Sequence, residues 1–208
     1  MRPQAPSRAV TTGYRLVTFL LVFAVASGAV AIASLGVGLA RDGDSLLYGD
    51  TLTVPLQLSP DDAGALPRDV RFRGWPDVSA EIKDPTAKQL VLRSSMDFGP
   101  LVLFVAGLWL LRGFARSVKE GDPFGPANVQ RLRRLGFLLV VGAPCVELLN
   151  WSLRQSLFNS LPPERFGNLG VAGFSLPAAA LLGGLAAFIL AEVFAYGLRL
   201  RDDVEGTV

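Results

Sequence analysis

Histidine is absent from this chain of 208 residues, and cysteine occurs once, at Cys145. Without histidine the chain has no His-containing zinc site, no Ser-His-Asp triad and no Cys-His dyad, and one cysteine cannot build a disulfide framework. Charge is also scarce, since 18% of the residues are charged, against about 25% in ordinary soluble domains. We therefore expect no metal site and no cofactor. The chain also shows no carboxylate pair at a membrane face and no nucleophile–base arrangement, so we expect no enzyme.

Apolar residues are abundant in this chain. Half of the chain is hydrophobic, and its mean hydropathy is +0.41. Twenty basic residues against eighteen acidic ones leave a net charge of only +2, which is too small a surplus to indicate direct nucleic-acid binding. The composition is typical of a membrane protein.

The apolar residues form four blocks, which predict an all-α membrane protein with four transmembrane helices. The blocks Leu16–Ala40 and Leu169–Ala191 carry no charge, and each is longer than the about 20 residues that cross a bilayer. The third block is Leu135–Leu153. The second is uncharged only over Phe98–Leu111 and reaches bilayer length when extended to 93–114.

The first block is open to two interpretations. Arginines precede it, and Ala24-Val25-Ala26 resembles a signal-peptidase site, which would make it a cleaved signal peptide. The apolar run continues to Ala40, however, and is longer than the about 7–15 residues of a signal core. Its length favours an uncleaved anchor.

Basic residues orient the helices, because short cytoplasmic loops are enriched in Lys and Arg. Three arginines and no acidic residue precede the first helix, and Arg112–Arg134 carries six basic and two acidic residues. Both termini are therefore predicted to be cytoplasmic. The protein is predicted to be a multi-pass protein of the plasma membrane. The predicted segments are a cytoplasmic N-terminus 1–15, transmembrane helices 16–40, 93–114, 135–153 and 169–198, an extracytoplasmic cap 41–92, a cytoplasmic motif loop 115–134, an outer loop 154–168 and a cytoplasmic tail 199–208.

The extracytoplasmic segment shows the alternation typical of strands. Thr51–Leu58, Asp69–Arg73 and Val78–Ile82 each alternate polar and apolar residues, and turn-forming clusters separate them. The pattern predicts a small strand-containing cap. Either a solvated loop with short hairpins or a sensing or partner-binding cap fits this pattern.

The motif loop holds the most distinctive residues of the chain. Gly121, Pro123 and Phe124 predict a fixed turn, and Pro126 suits the first turn of the helix that follows. Asn128 and Arg131, three residues apart, lie on one face of that helix. Arg131, Arg133 and Arg134 are expected at the depth of the lipid headgroups.

This stretch resembles the family of small bacterial membrane proteins known as domain of unknown function 2975. Members typically show Gly-x-Pro-Phe, then Asn, then Arg-Leu-Arg and a Gly entering a membrane helix, and their last helix carries a Glu before Phe and ends in an acidic tail. The positions that match the first motif are Gly121, Pro123, Phe124, Asn128, Arg131, Leu132, Arg133 and Gly136. Glu192–Val208 is similar to the second.

The resemblance implies the four-helix layout but does not extend to Arg41–Asp97, and the family brings no established activity. Its members are often encoded beside a small helix-turn-helix regulator. The resemblance therefore implies a regulatory or interaction protein that meets a cytoplasmic partner.

Two glutamates fall within predicted spans, where carboxylates are functional candidates. Glu192 lies close to the inner surface, so we expect it to pair with Arg131, Arg133 or Arg134 or to cap Asn128. A protonatable switch is the alternative.

Glu147 lies deeper in the membrane. Pro144 cannot donate to Val140 and is expected to kink the helix, so Pro144, Glu147 and Asn150 could form a polar site. On this site rests the alternative function, a small oligomeric transporter or channel.

Small residues recur on the fourth helix, where Ala179, Gly183 and Ala187 stand four residues apart. This spacing lets two helix backbones approach closely. It serves either packing within the chain or a homo-oligomer.

Overall fold

In a computed structural model of the protein, the described residues are 8–40, 51–57, 77–83, 86–160 and 173–205. The predicted run Asp69–Arg73 and most of the predicted outer loop lie outside them. The elements in chain order are α1 (Arg8–Ala40), β1 (Thr51–Gln57), β2 (Asp77–Lys83), α2 (Ala87–Lys119), α3 (Pro126–Phe137), a π-helical turn (Leu138–Gly142), α4 (Ala143–Phe158) and α5 (Ala178–Glu205).

Three of the described helices are long and apolar enough to cross a membrane. These spans are Ala9–Val37 in α1, Ala87–Lys119 in α2 and Ala178–Arg201 in α5, and only 11%, 11% and 17% of their most apolar stretches is buried inside the protein. Soluble proteins rarely leave such continuous apolar surface exposed. The helices therefore support an integral membrane protein.

The third predicted span, 135–153, is divided among α3, the π-helical turn and α4. Pro144 has no N–H to donate to Val140, which disfavours regular α-helical bonding at this point. The π-helical turn Leu138–Gly142 lies directly before it, and turns of this kind mark distortions in a helix. The predicted third span, 135–153, is therefore not among the three candidate membrane spans of the described helices.

Helix α2 is longer than the predicted 93–114 at both ends. At its start, Thr86 and Gln89 form a reciprocal cap: the Thr86 N–H donates to Gln89 Oε1 at 2.9 Å, and the Gln89 N–H donates to Thr86 Oγ1 at 3.4 Å. Such a capping box fixes where a helix begins. At its other end, α2 continues to Lys119, so the predicted motif loop 115–134 is mostly helical.

Helix α5 begins at Ala178 rather than at 169. Residues 173–177 are not helical, because Pro177 disfavours helical angles at Leu176 and suits the first turn of a helix. Leu181 donates its N–H to the Pro177 carbonyl at 3.1 Å. The helix then runs on to Glu205, so 199–205 of the predicted tail continues α5.

The strands β1 and β2 pair antiparallel, from Thr51 opposite Lys83 to Gln57 opposite Asp77. Within the described residues they form a two-stranded sheet. Both strands are therefore edges, which accommodates Pro55 and its missing N–H. They cover the first and third alternating runs of the sequence.

The described residues belong to two compact units. The first contains Pro100–Val146 and Leu176–Val208 with the start of the chain up to Ser27, and the second contains Gly28–Gly99 and Glu147–Ser175. All contacts described below lie within one unit or the other.

In the first unit, the end of α3 and the π-helical turn pack closely on α5. A Cβ placed on Gly184 would lie 2.6 Å from Val140 Cγ2 and 3.0 Å from the Gly136 carbonyl oxygen. Ala187 is buried as well, whereas Ala179 and Gly183 are exposed. Part of the small-residue stripe of α5 is therefore used within the chain.

Candidate functional site

The turn after α2 is closed by backbone bonds that require a glycine. Gly121 has a φ of +89°, a backbone angle that residues other than glycine rarely adopt. Its N–H donates to the Val118 carbonyl at 3.2 Å, and the Asp122 N–H donates to the Ser117 carbonyl at 3.1 Å. This pair of bonds is the Schellman motif that ends a helix.

Asn128, in the first turns of α3, holds the turn from the other side. It is completely buried. Its Nδ2 donates to the carbonyl of Asp122 at 3.3 Å and to the carbonyl of Pro123 at 3.0 Å, while its Oδ1 accepts a 2.7 Å bond from Nη1 of Arg131. Both ends of the amide are thus used, as a buried polar group requires.

Arg131 lies against α2 at Gly113, which has no side chain. A Cβ on Gly113 would fall 2.9 Å from Arg131 Nε. The glycine therefore leaves room for the guanidinium beside the α2 backbone. The sequence spacing placed Arg131 on the same helix face as Asn128 but did not indicate Gly113, which gives no pattern of its own in the sequence.

Aromatic side chains connect the turn to α2 and α5. The rings of Phe124 and Phe194 are 5.0 Å apart, and those of Phe194 and Phe114 are 5.8 Å apart. Gly197 faces Phe124 on α5, where an added Cβ would contact the ring at 3.7 Å. The two family motifs therefore meet, since Phe124 belongs to the first and Phe194 to the second.

Ionic contacts join the same elements. Arg133 Nη2 donates to Glu192 Oε1 at 2.8 Å, with both side chains more than half exposed. Arg201 Nη1 lies 3.7 Å from Asp122 Oδ1. The sequence offered three arginine partners for Glu192, and the structure selects Arg133. Exposed pairs of this kind contribute about 0–1 kcal/mol, so the buried contacts carry more of the stability.

We call this region the motif surface: the turn Glu120–Gly125, the start of α3 with Asn128 and Arg131, and the α5 segment Glu192–Arg201. Its residues divide by exposure. Asn128 is buried and Arg131 is half-buried, whereas Gly121, Phe124 and Glu192 are exposed. Arg133 and Arg134, which follow on α3, are exposed beside the surface. Pro123 is intermediate in exposure.

Arg112 is a further contact that the sequence did not predict. Its Nε donates to Thr18 Oγ1 and its Nη2 to the Tyr14 hydroxyl, both at 3.3 Å. The guanidinium also lies 5.7 Å from the centre of the Tyr14 ring. These contacts connect α1 to α2. The sequence feature that could have indicated them is that Tyr14 and Arg112 lie at the same predicted depth.

The second predicted site falls on α4. Pro144 lies in its first turn, just after the π-helical turn. Glu147 Oε1 is 3.8 Å from Arg154 Nη1, so its carboxylate has a cationic neighbour on its own helix. Asn150 is buried, and its Oδ1 has no hydrogen-bond partner among the described atoms.

Metal ligands do not gather in the described part of the chain: no three His, Cys, Asp or Glu side chains there form a group that could hold an ion. The motif surface presents aromatic rings and guanidinium groups on a turn held by hydrogen bonds.

Comparisons with known proteins agree with the motifs. The model of the family described as "Protein of unknown function (DUF2975)" matches residues 78–208. No curated protein and no solved structure matches the chain. The match begins at Val78, within the segment that the resemblance was expected to leave out, and it does not include α1, which the four-helix layout would have included. It covers well over half of the chain and both motifs, and so the chain belongs to the DUF2975 family.

Proposed function

We propose that this chain is a multi-pass protein of the cell membrane with a regulatory or interaction role, and that the motif surface binds a soluble cytoplasmic partner. The observation that carries the proposal is the buried Asn128 amide, which bonds two carbonyls of the turn and Arg131. It fixes the turn in one conformation. A surface that is already ordered loses less entropy when a partner binds.

The exposed groups on this rigid turn suit a protein partner. Phe124 keeps 47% of its surface exposed although its ring packs on Phe194. Asp122 and Glu120 beside it are exposed as well. A partly exposed aromatic with charged residues around it is a common centre of protein–protein interfaces.

The charge distribution supports a cytoplasmic location for this surface and for both termini. Arg112–Arg134 is the most basic connection in the chain, and basic connections are retained on the cytoplasmic side. In the four-span arrangement that we propose, α3, the π-helical turn and α4 cross together as the third span. The partner that the family resemblance suggests is a small helix-turn-helix regulator.

Crosslinking in living cells tests the proposal. A photo-crosslinking amino acid at position 124 should give an adduct with a discrete soluble protein, and the same amino acid at position 104 should not. Phe104 is the matched control because it is an exposed phenylalanine within the apolar part of α2. Adducts at position 124 with lipid or with the chain itself alone would contradict the proposal.

Phe124→Ala should weaken co-purification of the partner identified by crosslinking about 5- to 30-fold, as expected from loss of a central aromatic worth about 1–2 kcal/mol. Phe104→Ala should not change the co-purification. Thermal unfolding of both variants in detergent checks that the loss is not a loss of folded protein, since Phe124 also packs on Phe194.

A small oligomeric transporter is the alternative, and the buried Asn150 Oδ1 without a partner is the observation that favours it. The position of Glu147 near Arg154 weakens it, because a relay needs a carboxylate that can exchange its partner. The alternative requires flux in proteoliposomes that Glu147→Gln abolishes.

A further inference from the structure

Four arginines line one cavity between α2 and α3. The cavity has a volume of about 320 Å³, and its charged lining consists of Arg112, Arg116, Arg131 and Arg134. Gly113 and Trp109 are also part of the wall. Four guanidinium groups around one space repel each other, so the cavity favours an anion that they can share.

The contacts of these arginines leave most of the charge unneutralised. Arg112 donates to the hydroxyls of Thr18 and Tyr14, and Arg131 donates to the Asn128 amide oxygen. Among the described residues, Glu120 is the one carboxylate that pairs with any of the four, through Arg116 at 2.8 Å. Four positive charges therefore face one negative charge.

An apolar groove adjoins the arginine cavity. It has a volume of about 520 Å³, and most of its lining residues are apolar, including Ala106, Phe137, Leu138 and Phe188, with Arg133 and Arg134 also in the wall. Trp109, Leu110 and Arg134 line both spaces. A cationic cavity and an apolar groove that share a wall match a molecule with an anionic head and a hydrocarbon chain.

We infer that the two spaces together bind one anionic phospholipid, with its phosphate among the four arginines and an acyl chain along the groove. Guanidinium groups bind phosphate through paired N–H donors, which makes arginine well suited to this role. Basic pockets between membrane helices are a known form of headgroup site. The two volumes, about 320 and about 520 Å³, each lie within the range of about 300–1,000 Å³ that is typical of ligand sites.

The site connects to the motif surface through Arg131. This side chain contributes to the cavity and also bonds Asn128, which holds the turn. A bound phosphate therefore stabilises Arg131 in the position that fixes the turn. The inference does not depend on partner docking, because lipid binding can be measured on the isolated protein.

The test uses the full chain purified in a neutral detergent, with thermal unfolding and titration by native mass spectrometry as readouts. The probes are phosphatidylglycerol, phosphatidylcholine and inorganic phosphate. We expect phosphatidylglycerol to raise the unfolding temperature and to bind, and the other two to have little effect. Equal effects of the two lipids, or protection by phosphate equal to that by phosphatidylglycerol, would overturn the inference.

Three variants locate the site. Arg134→Gln should weaken phosphatidylglycerol binding about tenfold, the effect of losing one charge-assisted contact. Ala106→Phe should weaken it by filling the groove. Arg15→Gln is the control, because this exposed arginine of α1 lines neither space and lies outside the motif surface. If Arg134→Gln fails to fold, Arg116→Gln replaces it. Unchanged binding by the arginine variant or by Ala106→Phe would show that the lipid does not occupy the two spaces.

Discussion

Gly184→Ala should lower the free energy of unfolding by about 1–3 kcal/mol, the usual range for overpacking, whereas Gly183→Ala should leave it unchanged or raise it slightly. The new Cβ at 184 would lie 2.6 Å from Val140 Cγ2 and 3.0 Å from the Gly136 oxygen. A β-branched valine and a backbone carbonyl are both hard to displace. At 183 the nearest atom is Leu139 Cδ1 at an ordinary 3.7 Å.

Unfolding of the two variants in mixed micelles, monitored by circular dichroism, gives this comparison directly. The pair is well matched, because the residues are neighbours on one helix and the change is the same. Equal destabilisation by both substitutions would contradict the close contact between α3 and α5. Destabilisation by Gly183→Ala alone would point instead to packing against a second copy of the chain.

Asn128→Leu should lower the free energy of unfolding by about 2–4 kcal/mol, because it leaves buried hydrogen-bonding groups without partners. The carbonyls of Asp122 and Pro123 would lose their donor, and Arg131 would lose its acceptor. The variant should also bind the cytoplasmic partner more weakly, because the hydrogen bonds that fix the turn carrying Phe124 would be lost. Thermal unfolding and crosslinking at position 124 measure the two effects.

Asn128→Asp separates the roles of this side chain. An aspartate still accepts from Arg131 but cannot donate to the turn carbonyls, so it should destabilise the protein as well. Gln130→Ala, an exposed neighbour on α3, should have little effect. If Asn128→Asp were as stable as the parent protein, the bonds to the turn would not be what fixes it.

The helices could be predicted from hydropathy, but their ends depended on signals of another kind. The uncharged blocks identify α1 and α5, because apolar length is read directly from the sequence. The block in α2 reaches bilayer length only when charged residues at its ends are included. The start of α2 depends instead on the Thr86–Gln89 capping box, and the start of α5 on Pro177. Both signals are present in the sequence, but hydropathy does not register them. Hydropathy alone therefore begins α2 too late, at 93, and α5 too early, at 169.

The motif surface was predictable only in part. The spacing of Asn128 and Arg131 places them on one face of a helix, and the structure shows the hydrogen bond between them. The donation by Asn128 to the turn carbonyls was not predictable, because it depends on how the chain folds back over Gly121. Similarly, sequence spacing alone does not separate Gly184 from Gly183, since each lies in a row of small residues and only the packed partner distinguishes them.

The central claim is that the motif surface faces the cytoplasm, and cysteine labelling tests it most directly. The chain has one cysteine, Cys145, so Cys145→Ser gives a cysteine-free background. In that background, Asp122→Cys should react with a membrane-impermeant maleimide only after the cells are opened, while Asp62→Cys, in the predicted extracytoplasmic segment, should react in intact cells. Labelling of Asp122→Cys from outside intact cells, with Asp62→Cys protected, would contradict the account.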